Sequence, residues 1–151
     1  MKRRRSFVCD IDGTASDARH RAHFVTGGRR DFETFYKVQS KDPPIPATKT
    51  VVQALSEAGL FAIFLTARPG RFRTETGLWL ARHGFTKGPH TLIMRPGNSL
   101  GSNAAFKREA YRDQIAPKFT VELWLEDQDS VVKMVREDLK LPCWQVQPGD
   151  Y

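Results

Sequence analysis

The feature that most constrains the fold is an alternation of short apolar runs with longer amphipathic stretches. Such alternation is typical of βαβ units, in which a crossover helix follows each strand of a parallel sheet. The predicted strands are Ser6–Ile11, Phe61–Thr66, His90–Met94, Val121–Glu126 and Cys143–Val146. The predicted helices are Ala47–Ala58, Arg71–His83, Ala104–Ile115 and Ser130–Leu139. At 151 residues the chain has the length of one ordinary domain, so we expect a single α/β domain, residues 1–151.

The segment Thr14–Pro46 does not follow this alternation. It carries many charged and aromatic residues, ends in the rigid run Asp42-Pro-Pro-Ile-Pro46, and is too long for a tight βα turn. We expect an insertion here, with one or two short helices packed over the carboxyl edge of the sheet. The aromatic residues expected to anchor it through one apolar face are Phe32, Phe35 and Tyr36. For these rings, hydrophobic packing is favoured over base stacking.

Composition narrows the class of protein. The two cysteines, Cys9 and Cys143, form neither a disulfide framework nor a four-thiolate zinc site, so we expect buried free thiols and a reducing, cytoplasmic location. The net charge of +7 would suit a nucleic-acid partner or an acidic substrate, but Lys2–Arg5 supplies much of it and is typical of a solvated terminus. No apolar stretch approaches the roughly 20 residues of a membrane helix. A soluble enzyme or binding module remains.

The most informative segment is Phe7–Thr14, an apolar strand followed by two aspartates, a glycine and a threonine. Ligands of α/β proteins bind at the carboxyl ends of the strands, which puts Asp10 and Asp12 at the mouth of the sheet. Residues two apart on an extended chain point the same way, and Gly13 allows the backbone to turn sharply. Neighbouring carboxylates repel each other unless a cation compensates, and Mg²⁺ is a hard, oxygen-seeking ion suited to that place.

Three later junctions offer side chains of matching chemistry. Thr66 ends the second predicted strand, Glu126 and Asp127 end the fourth, and Lys107 lies near the start of a helix between them. Each alone is a weak signal, because a threonine at a strand end is more often a helix cap and a lone lysine is usually solvated. Together, and in this order, they predict a site for a phosphate group and a metal ion.

This order of motifs resembles the four-motif signature of the haloacid dehalogenase superfamily of phosphotransferases. A narrower resemblance, to the phosphatase domain of bacteriophage polynucleotide kinase-phosphatase, rests on Leu65–Gly70, Arg73–Leu80, Tyr111–Phe119, Val131–Met134 and Cys143–Tyr151. The resemblance implies a three-layer, Rossmann-like parallel sheet with the insertion as a minimal cap. It also implies a phosphatase that removes a terminal 3′-phosphate from DNA or RNA, with nucleic-acid 3′ ends as partners, bound without sequence specificity. No G-x-x-x-x-G-K-[ST] phosphate loop occurs here, so a kinase acting with it would lie outside this sequence.

The same resemblance suggests a role for each residue. Asp10 would attack phosphorus and form an aspartyl-phosphate, and Asp12 would protonate the leaving oxygen and later activate water, a role for which we expect a raised pKa. The expected Mg²⁺ ligands are the Asp10 carboxylate, the Asp12 backbone carbonyl, Asp127 and, through water, Glu126. The expected phosphate ligands are the Thr66 hydroxyl and the Lys107 ammonium.

Arginines are the expected contacts to the rest of the substrate. Arg68 is the first candidate, with a structural salt bridge as the alternative. Six further arginines could guide a nucleic-acid end toward the site, although a solvated position is expected of each one singly. These six are Arg19, Arg21, Arg29, Arg30, Arg71 and Arg73.

The chain departs from the phage domain at two places. Gln128 and Asp129 follow the acidic pair where the phage domain has an arginine, and Pro96–Asn103 lacks the charged residues of the corresponding phage loop. The side chains left in that loop to form hydrogen bonds are Asn98, Ser102 and Asn103. These departures bear on the substrate rather than on the phosphatase chemistry. Two alternatives stay open: a phosphatase of a small substrate, such as a nucleotide or sugar phosphate, and a catalytically inactive binding module.

Overall fold

The centre of the molecule is a five-stranded parallel sheet in the order β3-β2-β1-β4-β5. This computed structural model describes residues 2–149. The strands are β1 (Arg4–Cys9), β2 (Phe61–Pro69), β3 (His90–Arg95), β4 (Phe119–Gln128) and β5 (Cys143–Gly149). The two strands that flank β1 are buried over most of their length, as expected where a parallel sheet is covered on both faces. All five predicted strands are present.

Among the described residues, five α-helices connect or precede these strands. They are α1 (Phe32–Lys37), α2 (Pro46–Glu57), α3 (Arg73–Arg82), α4 (Asn103–Ala110) and α5 (Asp129–Lys133). The last two continue into wider, π-type turns over Tyr111–Ile115 and Met134–Asp138, so the predicted helices Ala104–Ile115 and Ser130–Leu139 each consist of two geometries. In both turns a backbone N–H bonds the carbonyl five residues earlier, from Ala116 to Tyr111 and from Leu139 to Met134.

Two apolar cores lie on opposite faces of the sheet. One packs Phe7 and Phe64 against Val52 of α2 and against Trp79 and Leu80 of α3. The other packs Val8, Ile63 and Trp124 against Phe106 of α4 and Val131 of α5. Consecutive residues of β1 thus face different cores, because side chains alternate along a strand. The predicted three-layer, Rossmann-like α/β architecture is confirmed.

The end of β1 differs from the prediction. We predicted a strand through Ile11, but β1 ends at Cys9 and the chain then leaves the sheet. The backbone N–H groups of residues 14, 15 and 16 all donate to the Ile11 carbonyl, over 2.9–3.1 Å. Gly13, with φ at +83°, provides the left-handed conformation that this tight turn requires. The turn places Asp10 and Asp12 on a loop rather than on an extended strand.

The insertion is helical, as predicted, and its two ends are fastened together. It contains α1 and two short 3₁₀ turns, Arg19–Phe24 and Gln39–Lys41. The N–H of Ile45 donates to the Ala15 carbonyl over 2.8 Å, and the N–H of Asp17 donates to Pro43 over the same distance. These bonds close the loop beside the carboxyl end of β1.

The anchoring aromatic face is only partly as predicted. Phe35 is buried, and the Tyr36 ring packs against Phe72 with the ring centroids 5.7 Å apart. Phe32, by contrast, is 45% exposed. One of the three rings therefore contributes little to packing.

Within residues 2–149, no helix combines the length and the apolar character needed to cross a membrane.

Both cysteines are free and buried, Cys9 on β1 and Cys143 at the start of β5. Burial is the main cause that raises the pKa of the Cys143 thiol to about 12. We expect neither thiol to react with an aromatic disulfide reagent at mildly alkaline pH while the protein is folded, and both to react once it is unfolded. Absorbance of the released thiolate measures this, and a rapid reaction of the folded protein would contradict the burial.

Candidate active site

The site lies where the sheet topology changes direction. β1 is hydrogen-bonded to β2 on one side and to β4 on the other, and all three strands run parallel. The chain leaves β1 toward β2 and β3 and later returns to β4, so the loops after β1 diverge from those after β4. Such a switch point opens a crevice at the carboxyl ends of the strands.

Three carboxylates meet in this crevice. One oxygen each from Asp10, Glu126 and Asp127 lies within 4.8 Å of the others, and all three residues are buried. The ammonium group of Lys107 donates to Asp10 Oδ1 over 2.7 Å and to Glu126 Oε2 over 2.8 Å. The structure thus brings together four of the residues that the strand-end pattern predicted.

The surroundings shift the ionisation of this group. Burial, and then the nearby charge of Asp10, raise the pKa of Glu126 to about 7. Burial alone would lower the pKa of Lys107, but the carboxylates of Asp10 and Glu126 outweigh it and raise that pKa above its ordinary value. Lys107 is therefore a fixed positive charge.

The donor set fits a divalent cation. Three buried carboxylates and one ammonium group meet in this space. Oxygen-only donor sets of this kind suit hard ions such as Mg²⁺. Asp10, Glu126 and Asp127 are the residues that would hold it.

Asp10 is held at both of its oxygens. Lys107 bonds Oδ1, and the Thr14 hydroxyl donates to Oδ2 over 2.9 Å and lies 3.3 Å from Asp127 Oδ1. In the sequence, Thr14 was only the last residue of the first motif, and no role was predicted for it. Its hydroxyl links the β1 loop to the end of β4, a contact that sequence spacing does not reveal.

The second aspartate lies in a different electrostatic environment. Asp12 accepts hydrogen bonds from Arg68, over 2.7 Å from one guanidinium nitrogen, and from Arg21. Burial acts to raise the pKa of Asp12, but the charges of Arg68 and Arg21 outweigh it and hold that pKa well below its usual range. The expectation of a raised pKa for Asp12 is therefore wrong, because two guanidinium groups lie against this carboxylate. The sequence did not indicate that they would.

Both arginines are buried parts of a network inside the protein. Arg21 also forms two hydrogen bonds to Asp42, of 2.8 and 2.7 Å, and Arg68 donates to the Thr76 hydroxyl over 3.2 Å. Arg21 is therefore neither the solvated side chain that the sequence favoured nor a surface contact to nucleic acid. Arg68 forms a structural salt bridge to Asp12, which was the alternative interpretation of this residue.

The insertion contributes further residues to this network that the sequence did not predict. Gln39 bonds Arg68 and accepts a 2.7 Å hydrogen bond from Thr76, and the Asp42 carbonyl accepts from the Trp79 indole over 2.9 Å. These contacts join the insertion to α3. A polar residue such as Asp42 before a proline run signals only a turn in the sequence, so nothing local indicated its buried partners.

Thr66 is buried at the end of the regular pairing of β2 with β3. Its hydroxyl oxygen accepts from the backbone N–H of Arg68 over 3.1 Å. Together with Asp10 and Lys107 it borders a cavity of about 430 Å³, which is open to solvent. A cavity of this size accommodates a small ligand.

A polar chain runs along the rim of the cavity. Arg95, at the end of β3, donates to Asn103 Oδ1 over 2.9 Å, and Asn103 Nδ2 donates to Gln128 over 3.1 Å. The two places at which the chain departs from the phage domain therefore touch each other. Arg95 was missed, although it follows a predicted strand directly and thus carried the same positional signal as Thr66.

The other candidate arginines lie at the surface. Arg19 pairs with Asp17, Arg71 pairs with Glu33, and Arg73 donates to the Leu92 carbonyl. Arg29 lies over the Phe24 ring, and Arg30 is exposed. None of these five lines the cavity in the described part of the chain.

The end of β5 supports the acidic loops from behind. Gln145 donates to the Asp127 carbonyl over 2.9 Å, and Gln147 donates to the Gly13 carbonyl over 2.7 Å. A Cβ atom at Gly149 would lie 2.7 Å from the Asp127 carbonyl oxygen, so only glycine permits this approach. Residues 150 and 151, which complete the C-terminal motif, lie outside the described residues.

Comparison with known proteins gives one family. The profile described as "Polynucleotide kinase PNKP phosphatase domain" matches residues 4–151. No curated protein sequence matches the chain.

Solved structures agree with this match. A chain of the "Pnkp1/Rnl/Hen1 complex" is 28% identical, with a TM-score of 0.82, and the alignment covers 100% of this chain and 48% of that one. A chain of the "Pnkp1/Rnl/Hen1 RNA repair complex" is also 28% identical, with a TM-score of 0.82, and the alignment covers 98% of this chain and 44% of that one. The class C acid phosphatase from Bacillus anthracis with tungstate bound shares the fold. It is 16% identical, with a TM-score of 0.65, and the alignment covers 84% of this chain and 53% of that one. This chain thus spans about half the length of these solved chains.

The buried ion network makes a prediction about stability. Replacing Arg21 by methionine would leave Asp12 and Asp42 without one of their cationic partners, and breaking a buried ion pair costs about 3–5 kcal/mol. We expect Arg21→Met to lower the free energy of unfolding by that amount, as measured by urea denaturation.

The matched control is Arg19→Met, two residues away. Arg19 also pairs with an aspartate, but its side chain is exposed, so the loss should stay below about 1 kcal/mol. A loss of unfolding free energy in Arg21→Met as small as that in Arg19→Met would show that the buried network adds no stability.

Proposed function

The chain belongs to the polynucleotide kinase PNKP phosphatase-domain family, and from this membership we propose that it is a Mg²⁺-dependent phosphatase that removes the terminal 3′-phosphate from DNA or RNA ends. The observation that carries the proposal is the meeting of Asp10, Glu126 and Asp127 with Lys107 at one edge of the sheet. A hydrolase of the haloacid dehalogenase type requires a nucleophilic carboxylate, further acids and a fixed cation in this arrangement.

We assign the metal to Asp10, Asp127, the Asp12 backbone carbonyl and, through water, Glu126. When bound, the ion neutralises charge so that an anionic nucleophile can approach an anionic phosphate. The donor chemistry of the cluster is what supports Mg²⁺ over softer ions.

In the first step, Asp10 attacks phosphorus in line. The bond from phosphorus to the 3′-oxygen breaks, its electron pair stays on that oxygen, and Asp12, which is ionised in the free protein, relays to it a proton carried in by the phosphate monoanion. The contacts from Lys107 and Thr14 fix the orientation of the Asp10 carboxylate before the substrate arrives.

In the second step, water hydrolyses the aspartyl-phosphate. Asp12 takes a proton from that water, which attacks phosphorus and restores the Asp10 carboxylate. The hydrogen bonds from Arg68 and Arg21 set the direction of the Asp12 oxygens, and we assign both arginines this positioning role. The Thr66 hydroxyl and the Lys107 ammonium hold the non-bridging oxygens of the phosphate, where transition-state charge is spread.

The nucleic-acid substrate is supported by the family and by the solved relatives, one of which belongs to an RNA repair complex. Surface arginines outside the cavity, such as Arg29, Arg71 and Arg73, would supply positive charge for a phosphate backbone. We further propose that a kinase activity and partner enzymes act with this phosphatase from outside this sequence, in a cytoplasmic repair setting.

Substrate length tests the proposal. In the presence of Mg²⁺ at low salt, we expect kcat/KM for a 3′-phosphorylated oligonucleotide to exceed that for a 3′-mononucleotide by roughly tenfold or more, since the longer chain adds backbone phosphate contacts. The advantage should shrink as the salt concentration rises. Release of inorganic phosphate measures both rates. Equal rates at low salt would instead favour the phosphatase of a small substrate.

The nucleophile and the metal are tested together. Asp10→Asn should reduce phosphate release by at least about a thousandfold while the thermal unfolding midpoint stays within a few degrees, because the amide keeps the shape but cannot attack phosphorus. Asp17→Asn, a carboxylate of the same loop region outside the cavity, is the control and should retain activity.

A chelator should abolish turnover by the unaltered protein, and added Mg²⁺ should restore it. Full activity in excess chelator would remove the metal from the mechanism. Activity retained by Asp10→Asn would rule out the aspartyl-phosphate, and a complete lack of phosphatase activity in the unaltered protein would favour a binding module.

A further inference from the structure

The cavity at the site has two chemically different parts. Its floor is polar and includes Asp10, Thr66 and Lys107, which suffices to hold a phosphate. Its other wall is apolar and comes from the insertion and from the end of β2, with Val25, Phe32 and Pro69 among its residues. A phosphate group has no use for an apolar wall, so the cavity fits a ligand that carries an apolar or aromatic body next to its phosphate.

Packing against other side chains does not explain why a phenylalanine occupies position 32 in that wall. On the same helix, α1, Phe35 is only 7% exposed, and its ring is covered by the Arg21 guanidinium at 4.2 Å. Phe32 is 45% exposed and touches the other aromatic rings only from outside, at 6.4 Å between centroids. An exposed phenylalanine that borders a cavity retains a free face for a planar ligand.

Two features restrict the position of the Phe32 ring relative to its neighbours. The Phe32 and Tyr36 rings are stacked, with an angle of 28° between their planes, and Tyr36 in turn packs on Phe72 in the turn that precedes α3. At the start of α1, the Asp31 carboxylate accepts from the Thr34 N–H over 3.1 Å and caps the helix. The ring therefore needs little ordering when a ligand arrives, which lowers the entropic cost of stacking.

We propose that Phe32 is a stacking platform for the base of the 3′-terminal nucleotide, whose phosphate occupies the polar floor. The inference rests on the proposed function and adds a subsite to it. Every base has a π face, so such a platform would favour nucleoside-bearing ends without selecting a sequence. It would also distinguish a nucleic-acid end from a sugar phosphate, which has no ring to stack.

The test compares two oligonucleotides that differ only at the 3′ end. Both carry a 3′-phosphate, but in one the terminal nucleoside is replaced by a tetrahydrofuran residue that has no base. For the unaltered protein, we expect kcat/KM to be about 5- to 100-fold higher with the base, the range found when base-stacking aromatics are removed. Phe32→Ala should lose that factor on the base-ended oligonucleotide and change the rate on the abasic one by less than about twofold.

Two variants complete the design. Phe32→Tyr keeps an aromatic face and should restore the preference for the base. Leu78→Ala removes an exposed hydrophobic residue from α3, outside the cavity, and should leave both rates unchanged. Since Phe32 is half exposed, its truncation should leave the thermal unfolding midpoint nearly unchanged.

The outcomes separate this inference from the proposed function. Hydrolysis of both oligonucleotides at equal rates, or an equal loss on both in Phe32→Ala, would overturn the platform while leaving the 3′-phosphatase intact. Failure of the unaltered protein to hydrolyse either oligonucleotide would overturn the proposed function, and the platform with it.

Discussion

Repulsion among the carboxylates of Asp10, Glu126 and Asp127 is the constraint on which the arrangement of the site depends. Their oxygens share a buried space less than 5 Å across, where like charges are far costlier than in water. Lys107 bonds two of them, and the Thr14 hydroxyl bonds the Asp10 carboxylate. A cluster of carboxylate oxygens held this close together suits a divalent cation.

A second buried charge cluster lies beside the first and is balanced differently. There, the carboxylates of Asp12 and Asp42 face the guanidinium groups of Arg21 and Arg68, so each of these carboxylates has a cationic partner within the protein. Its members come from the β1 loop, the insertion and the end of β2, and it fixes the insertion over the crevice. This second cluster holds the architecture, and the first is the one that we propose for metal and substrate. Gln145 and Gln147 of β5 brace the acidic loops from the opposite side.

The fold was predictable because its signals are local. Each strand is an apolar run, each crossover helix has an apolar face, and parallel strands bring their carboxyl ends to one edge of the sheet whatever their order. For the same reason Asp10, Thr66, Glu126 and Asp127 could be named as neighbours. Boundaries were less accurate: β1 ends before Ile11, because the Ile11 carbonyl is taken by a turn, and the last two helices pass into wider turns.

The sequence by itself determined which acids, hydroxyls and amines follow the strands, since that depends only on spacing along the chain. Only the tertiary structure decided how the charges are shared: Asp12 with Arg68, 56 residues away, and Asp10 with Lys107, 97 residues away. It also decided that Phe35 is buried and Phe32 exposed on the same short helix. Partners so distant in sequence meet through the packing of whole elements, and the ionisation of a buried group depends on those partners rather than on its own neighbours in the chain.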